Sequence, residues 1–229
     1  MQIILYCFFV FTMFSYSQTI NGVITFNPIK AIGDDTVLSE KSKKPRHYSY
    51  IFSNKISEQK LISNEGTTIE HIFLDENTPF ETEIINITPS NTIFYKNYNK
   101  NIFRLESTKK NENLIDEHTS IKDVIPIYDW ALENESQTII GHLCKKATTK
   151  KNIGSRIQQI TAWYAEDILI DDGPMDFNGL PGLILKIEID DTSIVKFEKL
   201  EFFSSKTTEI EVPAYKTNTI TLSEYYKNY

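Results

Sequence analysis

The chain has 229 residues, of which 40% are hydrophobic, and its 24 lysines and arginines against 31 aspartates and glutamates give a net charge of -7. This length suits one large domain or two small ones. Because an acidic chain repels the phosphates of nucleic acids and of anionic membrane surfaces, the composition argues against both as partners.

The first residues predict an export signal. Met1 to Phe14 carry no charged side chain and form an apolar run, which ends at the triplet Ser15-Tyr16-Ser17. An apolar core followed by small residues is typical of a secretory signal peptide, here with cleavage before Gln18. The run is shorter than the roughly 20 residues that span a bilayer, so we expect no transmembrane anchor. The predicted domains are a signal peptide at 1–17 and one β domain at 18–229, in the periplasm or in an extracellular or cell-envelope location.

Beyond the signal, apolar and polar residues alternate between short turns, a pattern typical of β-strands. We therefore expect a mainly β fold: a single domain with a curved antiparallel sheet or incomplete barrel and few short helices. A division into two lobes near 107–113 is the alternative. The predicted strands are 19–26, 47–52, 59–63, 67–74, 83–88, 92–98, 101–106, 130–133, 138–148, 158–164, 183–189 and 194–202.

Three local signals add detail to this pattern. Gly22, inside the first strand, predicts a bulge or the close approach of another part of the chain. Asn99 and Lys100 separate two strands and predict a hairpin with a connection of about two residues. Near the C-terminus, Thr221 and Glu224 have the spacing of a capping box, which begins a helix.

The densest turn chemistry lies between Ala162 and Ile189. Gly173-Pro174 interrupts the chain, and Pro181-Gly182 predicts a type II turn, because proline presets φ and glycine accepts a positive φ. The strand 183–189 opens with continuous apolar residues and then alternates, which predicts burial on both faces at its start and on one face later. The aspartates of this stretch are expected in solvated turns.

The motif Gly179-Leu180-Pro181-Gly182-Leu183-Ile184 resembles the signature of the GLPGLI family of secreted bacterial proteins. Further elements resemble that family in the same order; they are Tyr95-Lys96-Asn97, Trp130, Ile139–Ala147, Arg156, Ala162-Trp163-Tyr164 and Gly173-Pro174. The resemblance implies secretion and a β-rich fold. The element Ile139–Ala147 is also similar to a strand of lipoprotein-carrier-like (LolA-like) periplasmic proteins, in which a curved sheet surrounds an apolar cavity.

The sequence predicts no catalytic residues, no metal site and no cofactor. It contains no nucleophile elbow, P-loop or dinucleotide-binding motif. His142 and Cys144 lie two apart on a predicted strand and so share a face, which suits two metal ligands or an activated thiol. No nearby motif supplies further ligands or an orienting group, so this pair defines only an alternative function, a thiol- or metal-dependent hydrolase. Cys144 is the one cysteine after the signal, which excludes an intramolecular disulfide.

The residues near these turns favour a ligand groove instead. They comprise a cation, two aromatic residues and a loop that Gly173-Pro174 and Pro181-Gly182 hold at its two ends. The predicted groove residues are Arg156, Trp163, Tyr164, Gly173, Pro174, Phe177, Leu180 and Pro181. Trp163 and Tyr164 point to opposite faces of a strand, so we expect one of them in the core. Our first hypothesis is a non-catalytic binding or chaperone-like module for an apolar or peptide-like partner, such as an envelope protein, a peptide or a lipid-like ligand. A structural accessory to outer-membrane transport is a third hypothesis.

Overall fold

The computed structural model describes residues 19–29, 44–63, 88–111, 113–204 and 208–227, and the backbone alone of 68–73 and 81–86. The predicted signal peptide and its cleavage site lie outside the described residues. Within these ranges, no helix is long and apolar enough to cross a membrane.

The described chain is mainly β with one short helix, which confirms the predicted fold class. The strands are β1 (Thr19–Pro28), β2 (Arg46–Ser53), β3 (Ile56–Leu61), β4 (Thr68–Phe73), β5 (Glu81–Asn86), β6 (Asn91–Asn97), β7 (Ile102–Lys110), β8 (Asp116–Asp123), β9 (Ala131–Ile139), β10 (His142–Ile153), β11 (Arg156–Ala165), β12 (Leu183–Ile189), β13 (Ser193–Phe203) and β14 (Thr219–Ile220), and the helix is α1 (Leu222–Tyr226).

Twelve of these strands form one sheet in the order β14-β8-β7-β6-β3-β2-β1-β13-β12-β11-β10-β9, while β4 and β5 pair as a separate hairpin. Neighbouring strands are antiparallel, except that β14 runs parallel to β8. The order begins at β14 and ends at β9, which do not pair with each other, so the described sheet is open and is not a closed barrel.

The sheet curls around the segment that joins β11 to β12. In this segment Asp172 pairs with Lys96 on β6, and Asp176 pairs with Lys151 on β10. β6 and β10 are seven strand spacings apart in the sheet order. A flat sheet would separate them by roughly 34 Å, whereas four residues of extended chain span at most about 14 Å. The lysine side chains add little reach along the sheet, because strand side chains stand roughly perpendicular to it. The sheet therefore curves, and we call the face that it encloses the inner face.

The inner face carries the hydrophobic core. Because side chains alternate along a strand, every second residue of β2, β6 and β7 points inward, including the buried Tyr50, Phe94 and Phe103. The rings of Tyr50 on β2 and Phe197 on β13 meet edge to face with their centroids 4.9 Å apart. Burial of such aromatic area is the main favourable contribution to the stability of a fold without disulfides.

Gly22 makes this ring contact across β1 possible. A Cβ at this position would lie 2.8 Å from the Lys199 carbonyl oxygen and 3.1 Å from the Phe197 ring. The pairing register of β1 with β13 shifts between Val23 and Ile24. The predicted bulge and the predicted close approach are thus both present.

Most predicted elements agree with the structure. β6 and β7 form the predicted hairpin, although its connection spans four residues, 98–101, and not two. Thr221 and Glu224 form the predicted capping box at the start of α1. In β12 the first three residues are buried, and the half-exposed Lys186 and Glu188 then alternate with buried isoleucines, as predicted.

The sequence pattern missed two strands, β8 and β14, and underestimated the length of β9. The predicted strand 138–148 is divided by a turn at 140–141, which separates β9 from β10. β8 (DEHTSIKD) is mostly polar and belongs to the sheet through its pairing with β7. β9 is a largely exposed strand at one end of the sheet order. An edge strand with few buried apolar residues shows little hydrophobic alternation in its sequence.

Candidate ligand-binding site

We call residues 166–182, which connect β11 to β12, the central loop. A backbone hydrogen bond closes this loop on itself, with the Gly179 N–H donating to the Asp171 carbonyl at 2.9 Å. Gly173 is needed for packing against β12, since a Cβ there would lie 2.8 Å from the Ile184 Cβ. The breakers of the sequence thus shape a compact loop on the inner face.

The turn at Pro181 is tighter than predicted. The Gly182 N–H donates to the Leu180 carbonyl at 2.8 Å, which is a three-residue γ-turn. Gly182 has a φ of +149°, whereas a type II turn has about +80° at this position. The Leu183 N–H donates across the loop to the Ile168 carbonyl at 3.1 Å. The type II prediction is therefore wrong, because the first N–H of β12 pairs across the loop and does not close the turn.

Lys96 on β6 anchors the central loop to the sheet. Its side chain is 0% exposed, and lysine is almost never fully buried unless it is paired. Its Nζ donates to the carbonyls of Gly173 at 2.8 Å and Phe177 at 3.0 Å, and it forms an ion pair with Asp172. These three acceptors match the three N–H bonds of an ammonium group, so the buried charge is fully hydrogen-bonded.

Asp172, the carboxylate of this ion pair, is also fully buried and accepts two phenol hydrogen bonds. Tyr50 donates at 2.9 Å and Tyr98 at 2.7 Å. Burial and the charge of Asp172 raise the pKa of both tyrosines well above the ordinary value, so both phenols keep their protons. The loop carboxylate is thus held by β2 and by the turn after β6.

Gln59 on β3 adds two hydrogen bonds to the same loop. Its Nε2 donates to the Gly173 carbonyl at 2.9 Å, and its Oε1 accepts from the Met175 N–H at 2.7 Å. Both amide atoms of this buried side chain are therefore satisfied by loop backbone. Together with Lys96 and Asp172, Gln59 fixes the position of residues 172–177 against the sheet.

Asp176 is the second buried carboxylate of the central loop. Its Oδ2 accepts from the Tyr128 phenol at 2.5 Å, from Lys151 Nζ at 2.7 Å and, more weakly, from the Tyr226 phenol at 3.5 Å. Burial alone would raise the pKa of Asp176, but the Lys151 ammonium and the Tyr128 phenol outweigh burial and hold the pKa below its ordinary value. Asp176 is therefore ionised at neutral pH. The expectation of solvated turns is wrong for Asp172 and Asp176, because the sheet curls over both.

Aromatic rings surround the far end of the loop. Trp130 Nε1 donates to the Asn178 carbonyl at 2.9 Å, and Asn178 Nδ2 donates to the Pro126 carbonyl at 3.0 Å. The Phe177 ring lies 5.2 Å from the Tyr128 ring and 6.4 Å from the Trp130 ring. This cluster connects the loop to the segment between β8 and β9.

A cavity of about 320 Å³ opens between the inner face, the central loop and α1. Its lining is mainly apolar and aromatic; the principal residues are Phe26, Tyr48, Phe94, Phe103, Leu105, Ser107, Met175, Phe177, Ile189, Leu222 and Tyr225. Arg46 and Lys151 also line it. Its volume lies at the lower end of the range for pockets that bind small molecules. We call it the apolar cavity.

A second cavity, of about 680 Å³, lies beside the segment between β8 and β9. Its lining is more polar; it includes Tyr128, Asp129, Thr148, Lys150, Lys151, Asn152, Gln159, Asp176 and Tyr226. We call it the polar cavity. Lys151, Asp176, Leu222 and Tyr226 line both cavities.

The structure brings together only some of the predicted groove residues. Phe177 lines the apolar cavity. Gly173, Pro174 and Leu180 are buried in the central loop, Tyr164 is buried in the hydrophobic core, and Pro181 is exposed.

Arg156 and Trp163 lie apart from the central loop. Arg156 is exposed at the first position of β11, next to a hairpin turn. Trp163 pairs with Lys146 and Lys186 and, by strand alternation, lies on the face opposite to Tyr164. Neither residue lines the apolar cavity or the polar cavity. For all eight groove residues, contact with a ligand stays a prediction.

His142 and Cys144 share a face of β10, but they do not form a thiol–imidazole pair. His142 Nδ1 lies 2.7 Å from Asp167 Oδ2, while the Cys144 thiol donates to the His142 backbone carbonyl at 3.6 Å. Cys144 is 0% exposed, and burial, with a contribution from Asp167, raises the pKa of its thiol to about 11. Among the described residues, no three histidine, cysteine, aspartate or glutamate side chains converge as metal ligands. The geometry thus counts against Cys144 as a nucleophile.

We expect Cys144 to resist alkylation in the folded protein. Iodoacetamide reacts with the thiolate, and both burial and the raised pKa suppress it. At pH 7.5, peptide mass spectrometry is expected to show labelling of Cys144 about a hundredfold slower or more in the native protein than in urea. Equal rates in the two conditions would show that the thiol is accessible and would revive the hydrolase alternative.

The residues that build the site most directly were not predicted from the sequence. Lys96 was noted only within Tyr95-Lys96-Asn97, an element that resembles the GLPGLI family. Nothing in the sequence predicted the burial of Gln59 or Asp176. The aromatic Phe94, two positions before Lys96 and therefore on the same face of β6, is a weak signal of burial. The partners of these side chains lie far away in the sequence, and so no local pattern identifies them.

The comparisons with known proteins identify a fold and no activity. A family model described as "Protein of unknown function (Porph_ging)" matches residues 154–186, which cover β11, the central loop and the start of β12. No curated protein matches the chain. The structure of PNGF-II in the P21 space group is 15% identical with a TM-score of 0.50, and that in the C2 space group is 17% identical with a TM-score of 0.49.

The alignments cover 91% and 93% of this chain but only 32% of the PNGF-II chain in each crystal form. The chain thus spans about a third of the length of the structures that it matches. The likeness concerns the β-rich fold alone. The family model matches a short part of the chain that coincides with the central loop and the strands on either side of it.

Proposed function

We propose that this protein is a non-catalytic binding module that holds an apolar ligand in the apolar cavity on the inner face of its sheet. The observation that carries the proposal is a cavity of about 320 Å³ lined mainly by aromatic and aliphatic side chains. Removal of a ligand's apolar surface from water supplies binding free energy in proportion to the area buried. The resemblance to the GLPGLI family is compatible with this proposal.

The hydrogen bonds of the central loop support the proposal. Phe177 and Met175 form one wall of the apolar cavity, and Lys96 and Gln59 hold the backbone of these two residues. A wall that is fixed before binding loses little conformational entropy when a ligand enters. On this proposal, the buried ion pair preorganises the cavity.

A cavity-filling substitution tests the proposal. Ser107 on β7 lines the apolar cavity and is partly buried, so Ser107→Phe places a ring in the space that a ligand would occupy. The probe is N-phenyl-1-naphthylamine, whose fluorescence rises in apolar surroundings. We expect the unmodified protein to bind it and Ser107→Phe to lower the affinity about tenfold or more, ~1.4 kcal/mol.

Ser49→Phe is the matched control, since it makes the same change at an outward position of β2 that lines neither cavity. It is expected to leave probe affinity unchanged, and circular dichroism confirms that each variant is folded. If the unmodified protein does not bind the probe, or if both variants bind it equally well, the apolar cavity is not a ligand site and the proposal fails.

A further inference from the structure

The two cavities meet at a shared boundary with mixed chemistry. Lys151, Asp176, Leu222 and Tyr226 line both of them. Lys151 Nζ also lies over the Phe177 ring, 4.9 Å from its centroid, and over the Tyr226 ring at 5.0 Å. A ligand that fills the apolar cavity and extends past this boundary therefore enters polar surroundings.

Asp176 places a hydrogen-bonded carboxylate at this boundary. The hydrogen bonds from Tyr128, Lys151 and Tyr226 all reach Oδ2 of its carboxylate. The backbone N–H of Asp176 also hydrogen-bonds this carboxylate. The carboxylate therefore already accepts about the four hydrogen bonds that its two oxygens can hold, and it contributes a negative charge to the boundary.

The charges that line the polar cavity are balanced. Two lysines, Lys150 and Lys151, stand against two aspartates, Asp129 and Asp176. The remaining polar lining includes the amide side chains of Asn152 and Gln159, which both donate and accept hydrogen bonds. A phosphate or an ammonium group would meet a like charge as well as an opposite one. A neutral group with hydroxyls would meet donors and acceptors.

From this juxtaposition we infer that the ligand is an amphiphile, with its apolar part in the apolar cavity and a neutral, hydroxyl-bearing head group in the polar cavity. The inference rests on the proposed function, because it assumes that the apolar cavity is occupied. It adds the class of ligand and assigns a second binding site, the polar cavity, to the same molecule.

A set of amphiphiles with one alkyl chain and different head groups tests the inference. Decyl maltoside, decanol, decyl sulfate and decyltrimethylammonium compete with N-phenyl-1-naphthylamine, each below its critical micelle concentration and at 0.15 M salt, which screens the net charge of the protein. We expect decyl maltoside to bind about tenfold more tightly than decanol, a difference that one or two net hydrogen bonds supply. We expect both charged amphiphiles to bind more weakly than decyl maltoside.

Variants locate the head group. Asn152 and Gln159 are exposed and line only the polar cavity, so Asn152→Ala/Gln159→Ala is expected to fold normally. This double variant is expected to remove most of the advantage of decyl maltoside over decanol and to leave probe affinity unchanged. Asn134→Ala, an exposed change on β9 outside both cavities, is expected to alter neither affinity.

The outcomes separate the inference from the proposed function. If the probe binds but the head group has no effect, or if a charged amphiphile binds most tightly, the head-group inference is overturned and apolar binding stands. If decyl maltoside keeps its advantage in Asn152→Ala/Gln159→Ala, the head group does not occupy the polar cavity. If the probe does not bind at all, the proposed function itself fails.

Discussion

Lys96→Met is expected to lower the free energy of unfolding by about 3–5 kcal/mol, because it leaves the Asp172 carboxylate buried without a cation. Methionine has a similar length, so the variant removes the charge and the donors and leaves little empty space. The carbonyls of Gly173 and Phe177 also lose their hydrogen bonds from Nζ. Domains of this kind are stable by about 5–15 kcal/mol in total, so the loss is a large part of the whole.

Urea denaturation followed by circular dichroism measures this loss. Lys60→Met on β3 is the matched control, since Lys60 is an exposed strand lysine, and its expected effect is within about 0.5 kcal/mol. A loss below about 1 kcal/mol for Lys96→Met would contradict this expectation and would mean that the folded protein accommodates Asp172 without a cation. Because Lys96 also holds the Phe177 wall, the folded fraction of the variant is expected to bind the naphthylamine probe more weakly.

Gly182→Ala is the second change with a large expected effect. A Cβ on Gly182 would lie 2.2 Å from the Ala165 carbonyl oxygen and 2.7 Å from its carbonyl carbon. Backbone cannot move aside as a flexible side chain can, so β11 and the central loop must separate. The φ of +149° adds strain for any residue with a side chain. We expect the free energy of unfolding to fall by about 3 kcal/mol or more.

Gly179→Ala separates the two causes of this loss. Gly179 has a positive φ of +85°, but a Cβ there meets no atom within 4 Å. For Gly179→Ala we expect the free energy of unfolding to fall by about 1 kcal/mol, from conformational strain alone. Urea denaturation of both variants under one set of conditions measures the difference. Equal losses would show that the contact with Ala165 does not constrain position 182.

Much of the fold followed from local patterns. Period-two alternation located most strands. In β12 the continuous apolar residues predicted burial on both faces, and Lys186 and Glu188 predicted where one face becomes exposed. The capping box at Thr221 depends on hydrogen bonds within four residues. Features whose partners are close in sequence were therefore predicted correctly.

The errors also have physical causes. β8 was missed because only Ser120 and Ile121 among its residues are buried, so its membership in the sheet comes from pairing with β7. The type II turn was wrong because the Leu183 N–H found a partner across the loop. Trp163 lines neither cavity, so its contact with a ligand stays a prediction.

The sequence by itself determined that this protein is a β-sheet domain and where most of its strands lie. It also determined that Gly173-Pro174 and Pro181-Gly182 shape the loop between β11 and β12. Only the tertiary structure decided which polar residues are buried and where the cavities are. Lys96 meets Gly173 across a separation of 77 residues, and Tyr50 meets Asp172 across 122. Such pairings depend on the order of strands and on the curvature of the sheet, and neither is encoded in a local run of residues.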